Sequence, residues 1–179
     1  FQGGGYSRTP IEEILPVHFE DINSPFVDES FQPVLNQEFS RHPILRLETE
    51  LELNQEVWRS LPQLQGINRG LLPDKNAHVL AQQAKGSAAP LLVVGEFGKG
   101  RTALLGTDSM WNWNFRNVGS GGSGRYFQRF WNNVIDWLIA EPETRRLQLE
   151  SDKERYQEGA QVLIKFKLLK KNYQPATDT

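Results

Sequence analysis

The feature that most constrains this chain is a pair of apolar runs, PLLVVGEF (residues 90–97) and TALLGTDS (102–109), separated by little more than Gly98-Lys99-Gly100. Short, nearly continuous apolar runs suit strands covered on both faces. Gly-Lys-Gly between them is tight-turn chemistry. The expected strands are 91–97 and 101–107. Such a sheet needs a cover, and residues 125–140, RYFQRFWNNVIDWLIA, are the strongest helix signal. Phe127, Phe130, Trp131, Val134, Trp137 and Leu138 recur there at three- and four-residue spacing. They form one wide apolar stripe, and Pro142 stands just past the helix end.

The same turn imitates a phosphate-binding loop. Gly95, four residues, then Gly100-Arg101-Thr102 is one substitution away from G-x-x-x-x-G-K-[ST]. A working loop leads into a helix whose N-terminus holds the phosphates. Here Thr102-Ala103-Leu104-Leu105 continues as a strand, so the stretch reads as a hairpin. GSGGSG at 119–124 does precede a helix. It reads as a flexible Ser/Gly loop, with an anion cradle as the alternative.

Elsewhere the pattern is weaker. Thr9-Pro10, with Glu12 three residues after Thr9, predicts a capping-box start to a short helix that stops at Pro16. Residues 16–40 read as an irregular surface segment with short strands. Glu48, Glu50 and Glu52 alternate with other residues, which predicts the solvent face of a strand. Asn54 is expected to cap a short helix ending before Pro62, and His78–Ala81 to form a short strand. After Pro142, RRLQLESDKERY and AQVLIKFKLL flank Gln157-Glu158-Gly159 and predict two strands and a turn. A lone two-stranded hairpin is marginal in water, so residues 145–179 read as the start of a second, β-rich domain. The lysines of that hairpin, Lys165, Lys167, Lys170 and Lys171, suit a protected strand edge better than a ligand site.

Composition narrows the function. With 20 basic and 22 acidic residues there is no concentrated basic surface of the kind nucleic-acid binding requires. No apolar run approaches the roughly 18 residues of a membrane span. No signal-peptide pattern opens the chain, and its start at Phe1 predicts a piece of a longer, soluble-behaving segment. Cysteine is absent, which excludes a disulfide, a cysteine-ligated metal and a cysteine nucleophile within these residues. His18, His42 and His78 lack partners at metal-ligand spacing, and each reads as an ordinary hydrogen-bonded or exposed histidine. No metal or other cofactor is expected, and paired carboxylates for glycoside hydrolysis are not readable.

The most suggestive polar cluster follows the second apolar run. Asp108 and Ser109 are expected at a strand end, where α/β sheets place ligand crevices. Trp111 and Trp113 flank Asn112 and either line a cleft wall or cover a core edge. These four residues are the candidate ligand cleft.

Taken in order, FQGGGY, TP-x-x-x-ILPV (Thr9 to Val17), His42-Pro43-Ile44, W-x-x-LP (Trp58 to Pro62), FGKGRTALLGTDSMWNW and YFQRFWNNVIDWL resemble the glutamine amidotransferase-like domain of bacterial membrane proteins. Those proteins often carry a von Willebrand factor A domain as well. The resemblance covers residues 1–142, as the C-terminal part of the domain. It implies a flavodoxin-like α/β fold, related to class I glutamine amidotransferases, with a three-layered and mainly parallel sheet. It implies that 145–179 begin an immunoglobulin-like β-sandwich, and that the parent is membrane-anchored. The related enzymes use a cysteine on a strand-to-helix elbow, a histidine base and an orienting glutamate. By the resemblance the elbow lies upstream of Phe1, and the histidine position falls near Thr107-Asp108-Ser109, where no histidine stands. An ordinary aspartate is a weak base for a thiol.

The reading is therefore a non-catalytic amidotransferase-like module, a binding or scaffold domain of a larger protein with partner and ligand unnamed. One alternative is an amidotransferase or hydrolase with its nucleophile upstream. Another is a carbohydrate or envelope-component binder, in which Trp111 and Trp113 stack on sugar beside Asp108.

Overall fold

The computed structural model describes residues 5–84, 88–119, 124–141, 144–153 and 155–176, the side chains of 116–119 excepted. Its helices are α1 (Pro10–Ile14), α2 (Leu51–Ser60), α3 (Asn112–Gly119) and α4 (Arg125–Leu138). Its strands are β1 (Val17–Phe19), β2 (Phe26–Phe31), β3 (Pro33–Leu35), β4 (Leu64–Asn68), β5 (Leu71–Pro73), β6 (His78–Gln83), β7 (Pro90–Phe97), β8 (Gly100–Leu105), β9 (Leu147–Ser151) and β10 (Ile164–Leu168). Short 3-10 turns occupy Gln37–Phe39, Pro43–Leu45 and Ser109–Trp111.

The two apolar runs form the expected hairpin. Phe97 pairs with Gly100 across Gly98-Lys99, and the register continues to Leu92↔Leu105. Gly98 has φ +59° with open space around the position of a Cβ, so its backbone angle alone calls for glycine at the first loop position. The pair sits in a four-stranded sheet of order β3-β6-β7-β8. Every pairing in this sheet is antiparallel, which corrects the expectation of a mainly parallel sheet. For β7–β8 the cause is connection length. A two-residue loop reverses the chain, whereas a parallel neighbour needs a crossover of a dozen or more residues. The described residues thus form a mixed α/β unit with several small antiparallel sheets.

Both faces of the central strand are covered. Val93 and its register partner Leu104 pack with Val17 and Leu71, under the β1–β5 ribbon. Leu92 and Val94 belong to the larger core on the opposite face, with Trp58, Trp113, Phe130, Val134 and Trp137. The α4 stripe is as expected: Phe130, Val134 and Trp137 are buried, and Phe127, Trp131 and Leu138 pack against the same core. The helix ends at Leu138 rather than residue 140, because Ala140 takes φ +57°. Pro142 lies outside the described residues.

Several local readings need correction. Thr9 does precede α1 with Pro10 in its first turn, but its hydroxyl donates to the Tyr6 carbonyl instead of capping the helix. Glu12 accepts the Phe19 N–H at 2.8 Å and so ties α1 to β1. Residues 16–40 are more than a surface segment, since Phe31 and Phe39 are in the main core and β3 edges the main sheet. The alternating glutamates do not mark a strand. Glu50 occupies the N-cap of α2 and Glu52 its first turn, and Val57 and Trp58 bury on a helical spacing. Asn54 lies inside α2 rather than at its cap. Its side chain accepts the Leu47 and Glu48 N–H groups and donates to the Leu45 carbonyl.

β9 and β10 pair antiparallel, with Leu147↔Leu168 and Leu149↔Phe166. Beyond them Tyr173 returns to the main core. It accepts the Trp137 indole N–H at 3.0 Å and donates to the Thr144 carbonyl at 3.0 Å.

Candidate functional site

β8 ends at Leu105, and at Gly106 the chain changes partners. The Gly106 N–H bonds Leu91 O in β7, and its carbonyl accepts the N–H of Asn68 at the end of β4. A Cβ at Gly106 would lie 2.7 Å from the Pro90 carbonyl, so the crossing requires glycine. The next residues lock it. Thr107 Oγ1 donates to the Gly66 carbonyl at 2.7 Å and accepts the Ser109 N–H. Ser109 Oγ accepts the Gln65 N–H at 2.9 Å and lies 2.9 Å from Thr107 Oγ1. Both side chains are buried. The two hydroxyls therefore satisfy the backbone of β4, which among the described residues has no ladder partner on that side, and an orphaned group there would be costly.

The four candidate residues separate. Ser109 belongs to this latch. Trp113 is 1% exposed; its ring meets Trp58 and Phe130 edge-on and its indole N–H donates to the Pro62 carbonyl at 2.9 Å. Asp108 is exposed, at the N-cap of the 109–111 turn, and makes no side-chain cap bond. Trp111 is 54% exposed and Phe115 67%, with their rings T-shaped at 5.9 Å. Asp108 and Trp111 are thus on the surface, and Ser109 and Trp113 are inside. The glycine-rich stretch expected as a loop lies mostly outside the described residues.

None of the chain's three histidines stands at this strand end. His18 lies in β1, with Nε2 2.8 Å from Asp74 Oδ1. His78 opens β6 and stacks on Phe39 at 4.7 Å; burial, then Lys171, lowers its pKa. His42 is 1% exposed, flanked by Tyr173 and Trp137, and its Nδ1 accepts the Ile44 N–H at 3.3 Å. Burial, with His78 and Arg101 adding to it, lowers its pKa to about 3. It is a neutral core imidazole carrying its proton on Nε2. Among the described residues no group of three or more His, Asp or Glu is placed to hold a metal ion.

Sequence reading missed Thr107 as the partner of Ser109. A signal was present, in the two hydroxyls spaced T-x-S immediately after a glycine that ends a buried strand. Such residues commonly bond nearby backbone where a ladder stops.

Comparison with known proteins agrees with the fold. The Salmonella typhimurium "Cytoplasmic Protein STM3548" superposes with a TM-score of 0.55 at 22% identity, over 75% of this chain and 47% of that one. "Cytoplasmic Protein STM1381" from Salmonella typhimurium LT2 superposes at 0.49 and 22%, with the same coverage. The chain therefore spans about half the length of these solved structures. No curated protein is a recognisable relative. Residues 2–140 match the family described as "Putative glutamine amidotransferase" (GATase1_like), and the chain belongs to that family.

Proposed function

We propose that the chain is a non-catalytic amidotransferase-like module, a binding or scaffold domain of a larger protein. One observation carries this reading. The strand end at which the resemblance expects a histidine base holds Thr107 and Ser109, whose hydroxyls are both committed to backbone. Asp108 between them is exposed and makes no side-chain cap bond. A base must reach its nucleophile and carry a matched pKa. The buried His42, at about pKa 3, does not fit that role. The test is covalent trapping. Full-length protein is incubated with an electrophilic glutamine analogue and weighed by mass spectrometry. The reading expects no adduct, and stoichiometric labelling of one residue sinks it in favour of an enzyme with an upstream nucleophile.

A second reading has its own support in the exposed Trp111–Phe115 pair beside Asp108. An aromatic face next to a carboxylate suits the apolar face and hydroxyls of a sugar. Glycan-array binding that Trp111→Ala abolishes, with folding intact, would establish it. An unchanged or empty array removes it.

The same proposal takes the β9–β10 hairpin as the start of a β-rich domain. Leu147, Leu149, Ile164, Phe166 and Leu168 share its exposed face, as the inner face of a sandwich would before the second sheet covers it. Phe166→Ser should then destabilise the full-length protein; an unaltered melting curve contradicts it. A membrane-anchored parent rests on the resemblance, and fractionation of the full-length protein tests it. Among the described residues no helix is long and apolar enough to cross a membrane.

A further inference from the structure

A depression of about 380 Å³ lies away from the Thr107–Ser109 strand end, where β6 begins, β7 ends and β8 begins. His42, His78, Arg101, Arg146, Lys171 and Glu96 are its titratable lining, with Trp137 and Tyr173 as aromatic walls. Three full cations face it and one carboxylate. That carboxylate does little to offset them: Glu96 Oε1 is 3.9 Å from Arg146 Nη2, and both side chains are substantially exposed. This is longer than a hydrogen bond, and an exposed pair of this kind gains little. Among the described residues Lys171 has no carboxylate partner.

Arg101 is the built element. Its Nη1 donates to the Trp137 carbonyl at 2.6 Å and to Thr144 Oγ1 at 3.1 Å. Its guanidinium lies 5.1 Å from the centroid of the Trp137 ring. One nitrogen is thereby tied down and the plane is fixed, while Nε and Nη2 have no protein acceptor among the described residues. A fixed fork with a spare edge is the geometry that recognises carboxylate or phosphate. His42 lines the pocket as a neutral ring whose Nδ1 is occupied by the Ile44 N–H. Asn76 at the rim adds an amide. Lys171 and Arg146 both oppose protonation of the neighbouring His78, while Glu38 and Glu96 favour it.

We propose that this pocket binds a small anion bearing phosphate or carboxylate groups, held by Arg101, Arg146 and Lys171. The proposal is independent of whether the parent is catalytic, because it involves none of the residues at the strand end.

The test is isothermal titration of the protein with inorganic phosphate and, separately, with citrate, at fixed ionic strength and with sodium chloride as the control. Saturable binding of at least one probe is expected, and which one binds assigns the anion class. Lys171→Glu and Arg146→Glu are the variants, since both side chains reach solvent and neither holds the core. Each should weaken binding about ten- to a hundredfold, as loss of a hydrogen bond to a charged group does, with the urea midpoint unchanged. Failure of both probes to bind the unmodified protein overturns the proposal. So does binding that both variants retain at full strength.

Discussion

The burial of His42 makes the stability of this protein depend on pH in a way that can be worked out. Its pKa falls from 6.5 to about 3 on folding, so the unfolded chain binds the proton more readily than the folded one. Stability is then full above about pH 6.5 and is withdrawn as pH falls from there toward 3, at about 1.4 kcal/mol per unit. Between pH 7 and pH 5 this one residue should remove about 2 kcal/mol, before most carboxylates titrate. His42→Asn is the informative comparison, because Asn also suits a cap position and can accept the Ile44 N–H but cannot charge. The smaller side chain leaves space beside Trp137 and Tyr173, and a cost of about 1–3 kcal/mol at pH 7 is expected. What matters is the difference in slope. Urea unfolding at both pH values, followed by tryptophan fluorescence, should show the unmodified protein losing about 2 kcal/mol more than the variant. His78 shifts in the same direction but is common to both proteins. Equal losses, or an imidazole signal of His42 that titrates near pH 6.5 in the folded protein, would refute the reasoning.

Trp113→Ala should cost about 3–5 kcal/mol, read as a lowered urea midpoint, because the ring is buried against Trp58 and Phe130. Ser109→Ala should cost about 1–3 kcal/mol by orphaning the Gln65 N–H, whereas Asp108→Ala should stay within about 0.5 kcal/mol; a reversal of that order in thermal melts contradicts the latch. Gly106→Ala should lower stability by about 1–3 kcal/mol through overpacking against the Pro90 carbonyl, and an unchanged melt would show that the crossing has room.

The parts of this fold that could be read in advance are those governed by local period and turn chemistry. The β7–β8 hairpin followed from two apolar runs and a glycine turn, and the α4 stripe from its spacing. The antiparallel β7–β8 pairing was also implied by that turn, whereas the family resemblance pointed to a mainly parallel sheet. Glu48, Glu50 and Glu52 misled because alternation over five residues fits a strand, while the helix that begins at Leu51 is fixed by Val57 and Trp58 further on. The candidate site was hardest for a different reason. Ser109 and Gln65 are 44 residues apart, and no spacing near Ser109 announces a partner in β4. Trp111 and Trp113 are two residues apart, yet one is exposed and one buried, because the chain passes from a 3-10 turn into α3 between them. Arg101, read as a failed phosphate-loop lysine, gains its bonds from Trp137 and Thr144, which only the docking of α4 on the sheet brings near.

The central claim is that the strand end of this amidotransferase-like unit holds the fold together and carries no catalytic base. Its most direct test is ammonia release from glutamine by the full-length protein, measured beside Ser109→Ala and Asp108→Ala. The account predicts no release above buffer for any of the three. Turnover by the unmodified protein that Asp108→Ala abolishes, with its folding intact, would contradict it and place the missing base at Asp108.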